Sequence, residues 1–294
     1  MTPSRLEGLR ESGAAESTGT RIRVGKSLQG IERLEARFQR AGFAPHRHDT
    51  YAIGVTLSGV QTFRYRGIQR YCMPRQCHIL HPDELHDGAS ATKAGFSYRI
   101  LYIDPSVVQR ALGGKLLPFV ADPVVELPAR RVRLLARAWD VNDDLEDVDH
   151  AEIVAEIADT LQMLSSNRSD TTRRLPLKAL QRVREEIAAD PVHRCAVETL
   201  EGIAGLDRWT LARDFRAAYG TSPRTFRTMR QLDRARSLIM HGNSLAQAAV
   251  EAGFSDQSHM SRMFKRAYGL TPVRWANAVA PRSAERGAPS RGAA

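Results

Sequence analysis

One nine-residue phrase occurs twice in the C-terminal part of the chain. Phe215–Pro223 reads FRAAYGTSP and Phe264–Pro272 reads FKRAYGLTP, an offset of 49 residues. Upstream, Ala204-Gly205-Leu206-Asp207 is echoed by Ala252-Gly253-Phe254-Ser255 at an offset of 48, so the second unit carries one extra residue. Repetition at such a period means one supersecondary unit used twice.

Each unit reads as helix, glycine turn, helix. The spacing predicts short helices at Val197–Ala204 and Ser244–Ala252, each running into a glycine that tolerates a left-handed backbone. Asp207 and Ser255 are the expected caps of the following helices, accepting from free backbone N–H groups. Leu211 and Phe215 match Met260 and Phe264 as the i, i+4 core face. The opposite faces are polar, with Arg208, Trp209, Ala212, Arg213 and Arg216 in one unit and Gln257, Ser258, Ser261, Arg262 and Lys265 in the other. A solvated amphipathic helix would share much of this pattern. Two matching copies point instead to a pair of helix-turn-helix motifs. Between them, residues 222–241 begin with a proline at a helix N-terminus and place Phe226, Met229, Leu232 and Ala235 on one side. A helix of that length spans ~30 Å, close to the ~34–36 Å between successive major grooves on one side of DNA.

Charge supports the same assignment. Of 43 basic and 33 acidic side chains, residues 1–166 hold 21 of each, so the whole excess of +10 lies beyond residue 166. Only the C-terminal half is therefore suited to a polyanion. An interfacial membrane helix has no reason to come as two capped units on a groove-length spacer, so lipid is disfavoured. No apolar run reaches the ~20 residues of a membrane span, and the first twenty residues lack a signal-peptide core. A cytoplasmic protein is expected, and three cysteines without paired CxxC units fit a reducing compartment.

At these residues the sequence resembles the AraC/XylS family of bacterial transcription regulators. GFSDQSHMSRMFKRAYGLTP (Gly253–Pro272) is close to that family's signature, and LDRARSLI (Leu232–Ile239) fits its linker helix. The resemblance implies that both recognition helices enter the major groove in two adjacent turns of an operator. It brings the equivalents of Trp209, Ala212 and Arg213, and of Gln257, Ser258 and Arg262, towards bases. Ala212 departs from the polar residues common there and offers only a contact to a thymine methyl. Glu201, where the second unit has Ala249, is a second departure. Arg213 and Arg262 can bond bidentately to guanine and Gln257 can read adenine, whereas Arg216, Lys265 and Arg266 suit phosphates.

The neutral half has a different grammar. Short apolar runs between Ile22 and Tyr102, with alternation in Thr62–Arg66 and glycines at 59 and 67, predict antiparallel strands in a small barrel or jelly roll. Five of nine histidines lie here: His46, His48, His78, His81 and His86. PHRHDTYAIGVTLSG and RQCHILHPDELHDG resemble the cupin-type sensor domain found at the N-terminus of this family. His46, His48 and His86 match three positions of a cupin metal site, but Ala52 and Ile53 stand where its carboxylate would fall. Three readings stay open: a zinc or iron site, histidines packed without a ligand, and a pocket for a small polar effector. The pocket reading is adopted, with His46, His48, Tyr51, Tyr65, His81, Glu84 and His86 as lining, and no metal or cofactor is expected. A cupin enzyme with a DNA-binding tail is the catalytic alternative, disfavoured by the missing carboxylate. A constitutive DNA-binding protein whose barrel only dimerises is another.

The expected fold is therefore α+β in two domains. Residues 1–20 and 279–294 are tails, 21–104 a cupin-like β-barrel (jelly roll), and 105–166 a helical connector. Residues 167–176 are a linker, and 177–278 an all-α domain of two helix-turn-helix motifs joined by a linker helix. In the connector, helices are expected at Ala129–Glu146 and His150–Ser166. Ile153, Ile157, Leu161 and Leu164 mark an apolar face for packing on the chain's own barrel, for a dimer seam, or for both. The expected function is non-enzymatic: an activator or repressor of transcription controlled by a small-molecule effector, a homodimer, with RNA polymerase as a further partner.

Overall fold

The structure, a computed structural model, describes residues 19–39, 42–166 and 175–279. Nearly all of the expected tails and most of the linker lie outside the described residues.

The N-terminal half folds into two facing antiparallel sheets, jelly-roll-like, without closing into one barrel. One sheet runs β1 (Arg21–Val24), β2 (Ile31–Phe38), β9 (Phe96–Ile103), β4 (Tyr51–Gly59), β7 (Cys77–Leu80), β10 (Val124–Val125). The other runs β3 (Phe43–His46), β8 (His86–Ser90), β5 (Gln61–Tyr65), β6 (Ile68–Cys72). Strand alternation decides the two sides. Ala36, Phe38 and Tyr98 face inward and share a core with Phe63, Tyr65 and Cys72 of the second sheet. Tyr51, Ile53, Leu101 and Ile103 point the other way, under α1 (Pro105–Ala111), α2 (Ala129–Trp139) and α3 (Asp147–Leu164). Because both faces are covered, β4 reads as a continuous apolar run rather than an alternating one.

Ile153, Ile157 and Leu161 of α3 are buried on this sheet, so the apolar face packs on the chain's own sensor. The expected helix to Glu146 stops at Trp139. There Arg33, fully buried on β2, donates from Nε to the carbonyl of Ala138 and from Nη1 to that of Asp143, at 3.0 Å each, and holds the chain reversal. A buried guanidinium is tolerable here because free carbonyls at a helix C-terminus satisfy it.

The C-terminal half is helical: α4 (Leu177–Ala189), α5 (Val197–Ala204), α6 (Arg208–Tyr219), α7 (Pro223–Met240), α8 (Leu245–Glu251), α9 (Gln257–Tyr268) and α10 (Pro272–Val279). Asp207 caps α6 as expected, accepting from the N–H groups of Trp209 and Thr210. The cap of α9 is Asp256, not Ser255, and accepts from His259 N–H at 2.7 Å. The extra residue of the second unit is absorbed in its turn, which moves the cap on by one. Leu211, Phe215, Met260 and Phe264 are all buried, as the repeat requires.

The two units do not share one core. The first closes on itself with α4 and Phe226, whereas the core of the second is continuous with the interior of the sensor sheets.

Candidate DNA interface and interdomain cavity

The recognition faces are built by capping and amphipathicity. Trp209, Ala212, Arg213 and Arg216 on α6, and Gln257, Ser258, Arg262 and Lys265 on α9, are all exposed. They lie opposite the buried i, i+4 pairs. Trp209 is 78% exposed, an unusual position for an indole. Arg208 is turned away from this surface: its backbone N–H and its Nε both donate to Glu201, at 2.7 and 3.2 Å. The departure at Glu201 thus serves as an extra cap for α6.

The far ends of both recognition helices rest on the sensor. Gly220 and Gly269, equivalent residues of the repeat, end α6 and α9 in left-handed conformation. A side chain at Gly220 would meet Pro82 at 2.5 Å, and one at Gly269 would meet Phe43 Cβ at 2.7 Å and His46 Nδ1 at 2.8 Å. Ala44 N–H donates to the Gly269 carbonyl, and Arg47 N–H to the Arg266 carbonyl. Arg216 reaches Asp83 at 3.5 Å, so one expected phosphate contact is engaged within the chain.

Between the sensor and α7 lies a cavity of about 280 Å³. Its sensor wall includes Leu34, Phe43, Tyr98 and Tyr102, and its opposite wall Met229, Tyr268 and Trp275. Ion pairs cross its edges. Arg230 of α7 bonds Asp49 at 2.9 Å, Arg236 bonds Glu32 at 2.9 Å, and Arg184 of α4 bonds Asp104, while within α7 Arg230 also bonds Asp233 at 3.1 Å. Burial pushes the Asp49 carboxyl up to about 6, with Arg230 pulling it back and Asp233 and Asp104 adding to the rise.

The histidines divide. His46 and His48 line this cavity, and His86 packs against both at inclined, edge-to-face angles of 58° and 70°, with ring centroids 4.2 and 4.9 Å away. Each uses Nδ1 on a backbone carbonyl, of Ala44, Thr50 and Glu84 respectively, leaving Nε2 as the acceptor. Burial holds all three neutral, His48 at about 3 and His86 at about 4, and neighbouring imidazoles lower His46 and His48 further. Among the described residues no group of three or more His, Cys, Asp and Glu is arranged to hold a metal ion.

The other expected lining residues lie elsewhere. Tyr51 donates to the Pro118 carbonyl, and His81 accepts from Val120 N–H, both under the connector. Tyr65 is buried between the sheets, and Glu84 pairs with Arg66 at the surface. Sequence reasoning missed Arg230, Asp233 and Arg236. Their i, i+3, i+6 spacing on α7 is visible in the sequence but reads equally as a solvated stripe.

Comparisons with known proteins agree with this architecture. The family profile described as AraC-like ligand binding domain matches residues 28–181, and that of a helix-turn-helix domain matches residues 200–278. The HTH-type transcriptional activator RhaS of Salmonella schwarzengrund is 26% identical over 259 residues, covering 81% of this chain and 89% of its own. The HTH-type regulator YbfI of Bacillus subtilis is 23% identical over 226 residues, 74% and 81% of the two chains. Among solved structures, ToxT from Vibrio cholerae superposes with a TM-score of 0.63 at 13% identity, covering 86% of this chain and 100% of ToxT. ToxT has also been solved with an unsaturated fatty acid bound, a structure with a TM-score of 0.58. No helix among the described residues is long and apolar enough to cross a membrane. With the ligand-binding profile spanning more than half of its length and the helix-turn-helix profile following, the chain belongs to the AraC family of transcription regulators, with an N-terminal ligand-binding domain and a C-terminal DNA-binding domain.

Proposed function

We propose that the chain is a cytoplasmic, dimeric, non-enzymatic regulator in which an effector in the interdomain cavity controls how two recognition helices meet an operator. Residues 21–104 act as sensor, 105–166 as connector and 177–278 as reader. Trp209, Ala212, Arg213, Gln257, Ser258 and Arg262 approach base edges in two successive major grooves, and Arg216 and Lys265 hold phosphates. His46 and His48 line the effector site, with His86 behind them. Tyr51, Tyr65, His81 and Glu84 act on it through the packing of the sensor. RNA polymerase is a further partner at the promoter.

The observation that carries this reading is the double use of α7. Leu232 and Ala235 of that helix pack in the core of the second helix-turn-helix unit and Phe226, near its start, in the core of the first, while the stripe of Met229, Arg230 and Asp233 walls the cavity. A ligand that prefers one position of α7 shifts both reading heads together, the differential contact that allosteric coupling requires. ToxT bound to a fatty acid supports the capacity of this fold to take a small molecule.

The test needs no ligand. Genome-wide occupancy of the tagged protein supplies an operator, and Leu34→Trp then fills the cavity from the sensor side. Operator affinity is expected to change by about tenfold, within the usual range of coupling energies. Unchanged affinity in a folded variant would remove the cavity from the mechanism.

A further inference from the structure

The walls of the interdomain cavity are unbalanced in charge. Four carboxylates line it, Glu32, Asp49, Asp104 and Asp233, against two guanidinium groups, Arg230 and Arg236. Arg184 compensates Asp104 without lining the cavity. Both lining arginines already carry carboxylates: Arg230 holds Asp49 and Asp233 through one terminal nitrogen, its buried Nε having no hydrogen-bond partner, and Arg236 holds Glu32 and lies over the faces of Tyr268 and Trp275, 5.4 and 5.6 Å away. An anion that formed a full ion pair with either guanidinium would compete with a carboxylate already bound there, and a displaced carboxylate would be left unpaired in a partly buried site.

The neutral polar groups lean the same way. His48, nine-tenths buried, lines the cavity with its Nε2 unpartnered, and its Nδ1 is committed to the Thr50 carbonyl. That leaves an acceptor in want of a donor. Tyr98 and Tyr102 add aromatic wall, which attracts cations through the negative ring faces. The cavity is at the lower end of the size range for small-molecule sites.

We propose that the effector cavity takes a small organic cation, an amine carrying an apolar or aromatic body. The ammonium group sits against the carboxylate-rich edge formed by Glu32 and Asp233, His48 Nε2 offers the unpartnered acceptor, and the apolar part is buried against Tyr102 and Trp275. This inference rests on the effector-cavity reading above, and assigns it a ligand class.

Three probes that share a phenylethyl body separate the possibilities in the full-length protein: 2-phenylethylamine as its cation, 2-phenylethanol, and 3-phenylpropanoate, at equal millimolar concentrations. The indole N–H resonance of Trp275, assigned with Trp275→Phe, reports binding in the cavity rather than elsewhere on the surface. The cation is expected to perturb that resonance and to bind about tenfold more tightly than the alcohol, the carboxylate more weakly still. Asp233→Asn should reduce the preference several-fold, and added salt should weaken the cation's binding alone. Should that variant fail to fold, the ranking of the three probes on the wild-type chain remains decisive. Equal or tighter binding of the alcohol or the carboxylate at Trp275 overturns the cation assignment while leaving the effector cavity standing. A silent Trp275 resonance with the cation also overturns it, and the cavity-filling measurement then judges the broader reading independently.

Discussion

Arg230 on the helix that joins the two DNA-reading units is bonded at 2.9 Å to Asp49 of the sensor, across the edge of the interdomain cavity. The side chain of Asp49 is 6% exposed and that of Arg230 25%, so the pair is largely withdrawn from water. Removing one member of such a pair costs about 3–5 kcal/mol, and Asp233, still bonded to Arg230, should hold the loss from Asp49→Asn near the lower end. The expected result is a lowered unfolding midpoint together with faster amide exchange in α7. A double-mutant cycle with Arg230→Gln should return a coupling of at least about 1 kcal/mol.

Arg216 pairs with Asp83 and is also one of the residues proposed to hold a phosphate. An exposed pair of this kind is worth about 0.2–1 kcal/mol. Asp83→Asn should therefore raise operator affinity by up to about fivefold, by freeing the guanidinium, whereas Arg216→Ala should lower it. Titrations on one operator fragment at fixed salt decide the sign, and a loss of affinity in Asp83→Asn would show that the contact supports the DNA-binding arrangement.

On α9 two neighbouring cations should differ in kind. Arg262→Ala is expected to lose about 1–3 kcal/mol of discrimination between operator variants. Lys265→Ala should weaken all sequences alike and reduce the salt dependence of binding by about one unit of slope. Uniform loss in both variants would contradict the orientation assigned to the recognition helix.

Gly269 tests whether sensor and reader are docked in solution. Its φ is 68°, and a methyl group added there would lie within 3 Å of Phe43 and His46, so Gly269→Ala combines backbone strain with a clash at the interface. The expected cost exceeds the ~1 kcal/mol of a left-handed alanine alone, and protease sensitivity between the domains should rise with it.

Acid should unfold the sensor steeply. His48 and His78 are lowered to about 3, His81 and His86 to about 4, and His46 well below its ordinary value, all chiefly by burial. The unfolded chain takes up these protons near pH 6.5 and the folded chain does not. Their contribution is present above that pH and is lost as pH falls towards 4, at about 1.4 kcal/mol per pH unit for each histidine. Asp49 opposes them, because its raised carboxyl binds a proton in the folded state between about 6 and 3.8. Urea titrations at a series of pH values should give a slope of about four protons near pH 5, and a slope below about one would contradict burial of the cluster.

Local rules make much of this molecule legible. The repeat, its glycine turns and its i, i+4 faces depend on contacts within some twenty residues, so they can be read from spacing alone. So can the sensor strands, whose turn residues and alternation are equally local. The caps are nearly legible: Asp207 stands where the spacing predicts it, but the inserted residue before Asp256 makes Ser255 look equivalent.

What stays hidden depends on which surfaces meet. The Tyr-Gly of each repeat unit can be read as a helix terminus. Only the tertiary structure places Gly220 on Pro82 and Gly269 on Phe43, as the edge where the sensor docks. The seven residues expected to line an effector site share a sequence neighbourhood, but strand alternation sends Tyr51 to one side of the sheet, while Tyr65 faces the core on the other. The sequence alone determined a two-headed, basic DNA-reading domain behind a neutral β-rich sensor, because helix and strand periodicity are properties of a chain segment. The cavity, with Glu32 and Asp49 facing Arg230 and Arg236 from about two hundred residues away, was decided by packing alone, since no local preference relates residues so far apart.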